Sequence, residues 1–283
     1  MTSGTASARS PRSPRPSLRV ERGLQRAGHR LIAGMDEVGR GALAGPVSVG
    51  VVVIDEVCRS APAGVKDSKL LSHQVRERLV PRIRAWATAH AVGHASPGEI
   101  DQYGIMAALR LAGTRALGAL PVIPDLVLLD GNHDWLTDPG RVGLLGLLRD
   151  EHDEHDEHDE HARLAPGGAV STIPVRTMIK ADMFCSSVAA ASVLAKVERD
   201  AMMVALAVEV PDYAWELNKG YCAPEHSAAL ESHGASVHHR RSWHLPGLGG
   251  AAAVGRFPAP GLGWAEAPVM HDGAVRTEYA AER

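Results

Sequence analysis

Residues 31–54 read LIAGMDEVGRGALAGPVSVGVVVI, and the way this stretch breaks decides the fold. Leu31–Val38 is a short apolar run that closes on two acids, Asp36 and Glu37. VSVGVVVI (47–54) is a β-branched run of the kind that favours a strand. The break between them, GRGALAGP (39–46), has eight residues. That is too short for a βαβ crossover, so the pair predicts a hairpin or meander. The same break imitates a dinucleotide fingerprint, with GxGxxxG spacing and Asp55 and Glu56 downstream as candidate ribose acids. A fingerprint needs a helix to open at its second glycine, and Pro46 followed by β-branched residues opposes one. A nicotinamide-dependent oxidoreductase is therefore a remote alternative, removed by a strand after Pro46.

Working outward, VKDSKLLSHQVRERLVPRIRAWA (65–87) starts as a loop and turns helical from about Ser72, with Leu79, Ile83 and Trp86 on one stripe. Residues 98–118 form a second helical pattern. DLVLLDG (125–131) predicts a buried strand ending at an acid, and VRTMIKAD (175–182) a further strand. SSVAAASVLAKVERDAMMVAL (186–206) predicts an alanine-rich helix. Strands mixed with long helices indicate an α/β domain over about 30–245.

The chain has 283 residues, 45% apolar and 22% charged, with a net charge of −3. No apolar run approaches the ~20 residues of a membrane helix. Three cysteines (Cys58, Cys185, Cys222) without a CxxC pair exclude a disulfide framework and a thiolate zinc site, and fit a cytoplasmic protein. Aromatic residues make up only 4%, so the core must be built from Ala, Val, Leu and Ile. The first thirty residues carry seven arginines against one acid, Glu21, and residues 1–29 are expected to form a disordered basic arm. Residues 246–283 are expected to form a flexible tail, and 134–170 a surface insertion holding DEHDEHDEHDE (150–160). His152, His155, His158 and His161 of that repeat lack the preorganisation of a metal site.

Four carboxylates follow apolar runs and stand where those runs stop: Asp36, Glu37, Asp130 and Asp182. Separate roles as caps and turn acids are one reading; convergence on one site is the reading favoured by the set. A cluster of hard oxygen donors selects Mg²⁺ or Mn²⁺, and two such ions suit in-line displacement at phosphorus. A regular strand would point Asp36 and Glu37 to opposite faces. Gly39 and Gly41 suggest a bulge, and a regular pleat through 35–39 counts against the pairing. Lysine is used only at Lys66, Lys69, Lys180, Lys196 and Lys219, a sparing use that suits phosphate contact.

GMDEVGRGALAGPV (34–47), DSKLLS (67–72), LLDGN (128–132), KADMFCSSVAAASVLAKVERD (180–200), NKGYCAPEH (218–226) and HHRRSW (238–243), in this order, resemble the type 2 ribonuclease H family, bacterial ribonuclease HII. The resemblance runs from Ile32 to about Trp243. It implies a ribonuclease H-like mixed sheet flanked by helices, with a small helical C-terminal portion. It implies an enzyme, here expected to be monomeric, that cleaves RNA in RNA–DNA hybrids and single ribonucleotides in duplex DNA, leaving 3′-hydroxyl and 5′-phosphate ends. The family's four metal-binding acids fall on Asp36, Glu37, Asp130 and Asp182. Its segment that reads the 2′-hydroxyl falls on Gly39, Arg40 and Gly41, and its junction tyrosine on Tyr221. Lys66, Lys69 and Lys196 are expected to contact nucleic acid. Glycines permit close approach to a sugar, and the 2′-hydroxyl is what separates RNA from DNA.

Two features depart from the family pattern. The connection from Asp130 to Asp182 is long and acidic, which raises the alternative of a non-catalytic or autoinhibited hybrid-binding protein. Ala181 replaces the glycine before the aspartate, and is expected to fit unless the backbone there needs a positive φ.

Overall fold

A computed structural model describes residues 15–137 and 173–248 of the chain. Five strands form one sheet in the order β3-β2-β1-β4-β5. β1 (Ile32–Val38), β2 (Val47–Ile54) and β3 (Ala89–Ala95) form an antiparallel meander, and β4 (Leu126–Asp130) and β5 (Val175–Met178) add in parallel beside β1. The β-branched run after Pro46 is thus a strand, and the dinucleotide reading falls.

The helices in chain order are α1 (Arg19–Arg26), α2 (His73–Trp86), α3 (Pro97–Gly118), α4 (Ala181–Phe184), α5 (Ser186–Glu209), α6 (Trp215–Asn218) and α7 (Pro224–His233). α5 and α2 cover one face, burying Ile32, Val52, Ile54, Leu126 and Leu128. α3 covers the other, burying Ala33, Met35, Val49, Val51 and Leu129. Small residues let the helices seat close. A Cβ on Gly34 would lie 2.4 Å from the Val188 nitrogen, and one on Gly50 2.4 Å from the Ala191 oxygen. On the opposite face, a Cβ on Gly93 would lie 2.1 Å from the Ala112 oxygen. Alanine-rich helices against glycine-bearing strands explain how a core with few aromatics packs densely.

α3 opens on a capping box, Ser96 with Glu99, and Pro97 in its first turn. The C-terminal portion packs Tyr213, Trp215, Leu230 and Leu245 against Leu43, Ala44 and Met203.

Four expectations need correction. The arm does not extend to residue 29: α1 is a formed helix whose Leu24 and Glu21 are buried. Its few apolar residues pack onto the main core even though they make only a weak periodic signal. The strand at 175–182 stops at Met178, so Asp182 rides on α4 instead of a strand end. The insertion does not begin at 134, because Trp135 and Leu136 are buried against α3. The tail does not begin unpacked, since Leu248 rests on the C-terminal cluster. Residues 1–14, the EHD repeat with its histidines, and 249–283 lie outside the described residues.

Candidate active site

The parallel register of β1 and β4 ends with Met35 opposite Leu129. The next residue on each strand is an acid, so Asp36 and Asp130 emerge side by side at the carboxyl end of the sheet. Gly34 and Leu128, two residues earlier, belong to the α5 face, and the period of two places both acids on that face. β5 ends beside β4, and the chain turns through Lys180 in the left-handed region (φ 58°) into α4. Asp130 Oδ1 accepts a hydrogen bond from the Ala181 amide at 2.6 Å, which ties the α4 turn and Asp182 to the end of β4. The positive φ falls on Lys180, and Ala181 is helical and fully buried, so the alanine is accommodated.

Glu37 does not reach this group through a bulge. β1 pairs regularly with β2 through Val38 opposite Ser48, so the pleat sends Glu37 toward the opposite face from Asp36. This counts against both carboxylates sharing one face. On the β4 side, however, β1 overshoots the last paired residue, and no strand separates the two faces there. Glu37 accordingly feels Asp130 directly.

Electrostatics tie the acids into one group. Burial first, then Glu37, Asp130 and Asp182, push the Asp36 carboxyl well above its ordinary pKa. Burial raises Glu37 too; Arg40 opposes the shift and Asp130 adds to it. Burial followed by Asp130 and Asp67 raises Asp182 to about 6. Burial lowers the Lys69 ammonium, but Asp36, Asp67, Asp182 and Glu37 outweigh it, and the net shift is upward. Among the described residues, no three His, Cys, Asp or Glu side chains form a ready-made ion cage. The donor set is nevertheless all carboxylate oxygen, buried and mutually repelling, and such a set fits a hard divalent cation.

The second half of the site is the loop after β1. Gly39 has φ 82° and lies against Arg199, whereas Gly41 is exposed and a Cβ there would meet nothing within 4 Å. Two fully buried arginines hold this loop from beneath. Arg240 donates to the carbonyls of Arg40 (2.7 Å), Gly39 (2.6 Å) and Gly45 (3.2 and 3.3 Å). Arg199 donates to those of Pro46 (3.0 Å), Ala44 (3.2 Å) and Lys219 (2.9 Å). Carbonyls drawn inward turn the Arg40 and Gly41 amides of the same peptide planes outward.

Gly220 closes the arrangement, its carbonyl accepting from the amides of Leu43 (2.8 Å) and Ala44 (3.2 Å). Tyr221 follows, half-buried over the Arg199 guanidinium at 5.3 Å.

The predicted residues divide accordingly. The four acids, Lys69, Gly39, Arg40, Gly41 and Tyr221 come together in one region. Arg40 is exposed, 3.9 Å from Glu37. Lys66 is half-exposed on the loop before Lys69. Lys196 is engaged internally, donating to Asp200 at 2.6 Å with its ammonium 5.9 Å from the Tyr221 ring. Asp67 belongs beside the acids, since it raises both Asp182 and Lys69, and was signalled only by its place in DSKLLS.

Comparisons with known proteins identify the family. The family model for ribonuclease HII matches residues 33–245. A ribonuclease HII of Streptomyces coelicolor is 47% identical over 229 residues, 81% of this chain and 83% of that protein. The chain belongs to the ribonuclease HII family. The ribonuclease HII of Streptomyces avermitilis is 45% identical over 229 residues, with the same coverage of each chain. The solved ribonuclease H2 of Pyrococcus horikoshii superposes with a TM-score of 0.55 at 26% identity, covering 76% of this chain and 94% of that one. Membership makes the protein a metal-dependent ribonuclease of the type that cuts RNA in RNA–DNA hybrids.

Proposed function

We propose that this ribonuclease cleaves both the RNA strand of hybrids and single ribonucleotides embedded in duplex DNA, through Asp36, Glu37, Asp130 and Asp182. The observation that supports this is that Asp36 and Asp130 stand side by side at the ends of β1 and β4, with the Ala181 amide tying the Asp182 turn to Asp130, next to an exposed glycine loop. Divalent ions, Mg²⁺ or Mn²⁺, bound by these acids would activate the attacking water and stabilise the leaving oxygen.

The chain's own residues supply the remainder. The Arg40 and Gly41 amides face the sugar edge and donate to a 2′-hydroxyl, the group that marks the ribonucleotide. Gly41 leaves room for the sugar to come close. Tyr221 offers its ring to the next sugar, where a deoxyribose fits and a ribose hydroxyl would clash. Arg40 and Lys69 lie where phosphates flank the scissile bond, and their charge contributes salt-dependent affinity.

The test is incubation with a duplex containing one ribonucleotide, with Mg²⁺, with Mn²⁺ and with chelator. A single cut at the ribonucleotide, leaving 3′-hydroxyl and 5′-phosphate ends and abolished by chelator, is expected. Cleavage of long hybrids with none of the single-ribonucleotide duplex would overturn the junction assignment.

A further inference from the structure

The α4 turn that carries Asp182 is gripped from two sides. On the sheet side, Asp130 accepts the Ala181 amide at 2.6 Å. On the other side stands the segment before β1. The Ser17 amide donates to the Phe184 carbonyl at 2.9 Å, and the Ser17 carbonyl accepts from the Ser186 amide at 3.3 Å. One turn further on, Glu21 of α1 reaches the first turn of α5. Its Oε1 accepts both the Ser187 amide and the Ser187 hydroxyl, each at 2.9 Å. α5 has no side-chain cap of its own, because Cys185 at the cap position makes no such bond. A carboxylate 166 residues away in sequence takes that role, and negative charge is favourable at a helix N-terminus.

This is an expensive way to cap a helix. Glu21 is fully buried, and its Oε2 has no hydrogen-bond partner among the described residues. A buried carboxylate oxygen left unsatisfied costs stability, whereas Ser or Asp at position 185 would cap α5 locally. The position of the cap explains the choice. The first turn of α5 follows directly on α4 and presses on Gly34, two residues before Asp36. α1 is itself anchored, because the Arg22 guanidinium donates to the carbonyls of Asp55, Glu56 and Cys58 beyond β2.

We propose that Glu21 is a positioning residue for the reaction: by capping α5 from α1, it holds Asp182 in register with Asp130 and Asp36. The inference rests on the reading of these acids as the metal-binding set. Three measurements test it on the full chain: amide hydrogen exchange without metal, Mn²⁺ titration calorimetry, and kcat with KM. In Glu21→Ala, exchange within 181–187 accelerates and Mn²⁺ affinity falls, each by about tenfold, the size expected for a lost cap. Exchange in β2 and β3 stays the same, and kcat falls with KM for a hybrid unchanged. Glu21→Gln keeps the acceptor and recovers most of each loss.

Should Glu21→Ala fail to fold, Ser187→Ala removes one of the two donors and is expected to shift the same readouts less. A variant with lowered Tm but unchanged exchange in 181–187 and unchanged Mn²⁺ affinity would overturn the proposal. Asp182→Asn separates the two ideas. If it leaves Mn²⁺ affinity and kcat intact, the metal reading fails. If it abolishes them while Glu21→Ala does not touch them, the positioning role fails.

Discussion

The Tyr221 hydroxyl accepts a hydrogen bond from the Gly39 amide at 3.2 Å, across 182 residues of sequence. One side chain therefore joins the two segments proposed to discriminate sugars. The ring and the hydroxyl can be separated experimentally. Tyr221→Phe keeps the ring and releases the Gly39 amide, and turnover on a single-ribonucleotide duplex is expected to drop only a few-fold, since a neutral hydrogen bond is worth about 1 kcal/mol. Tyr221→Ala removes the ring and is expected to lower cleavage of that duplex far more than cleavage of a long hybrid. The ratio of kcat/KM on the two substrates checks this, and an unchanged ratio in Tyr221→Ala contradicts the role.

Gly39 and Gly41 look equivalent in the sequence and are not. A Cβ on Gly39 would sit 2.1 Å from the Arg199 Nε, on backbone already at φ 82°. Gly41 has open space around its Cα. Gly39→Ala is expected to destabilise the fold by about 1–3 kcal/mol through strain and the displaced arginine. Gly41→Ala is expected to leave Tm unchanged yet weaken cleavage, because its methyl group enters the space left for the sugar. Thermal denaturation and KM measured on both variants distinguish the two glycines.

Arg240 supports the loop through four hydrogen bonds to the carbonyls of Gly39, Arg40 and Gly45. Burial, and then the nearby Arg199, lower its guanidinium pKa to about 9. Arg240→Met takes the side-chain donor from the Arg40 and Gly45 carbonyls and leaves Gly39 only the Ala42 amide, and a loss of about 3 kcal/mol is expected in urea denaturation. Arg240→Lys keeps the charge but not the planar fork, and is expected to recover only part of the loss.

These arginines show where sequence reading stops. Strands β1 and β2 were legible because β-branched runs flank a glycine break too short for a crossover. The placement of Asp36 and Asp130 where strands stop was legible because each follows an apolar run, whereas Asp182 sits on a helical turn. β3, AHAVGHA, was missed since Ala, Gly and His carry little strand signal, and its alternating burial comes from α3 packing on one of its faces. α1 was hidden because a run rich in Ser, Pro and Arg resembles an arm, and only packing reveals the burial of Glu21 and Leu24. Arg199 and Arg240 were not singled out in the sequence, since nothing in linear order says that backbone carbonyls converge on them.

The raised acid pKa values set the direction of a pH effect on the metal-free protein. Asp182 holds its proton to about pH 6, and Asp36 and Glu37 shift the same way. A carboxyl whose pKa is higher folded than unfolded contributes stability below its unfolded pKa and loses it as pH rises through the folded value. With chelator present, Tm is therefore expected to fall between about pH 4 and pH 7 from this group of acids. Asp36→Asn removes one charge from the cluster and is expected to flatten that decline, while cutting turnover by about 10³-fold or more. Mn²⁺ competes with the same protons, so its affinity should rise as pH passes 6, and saturating ion should restore the Tm lost at neutral pH. Scanning calorimetry at several pH values, with chelator and with Mn²⁺, checks both signs. A metal-free Tm that climbs steadily over this interval would mean that the acids do not sit together at the end of the sheet.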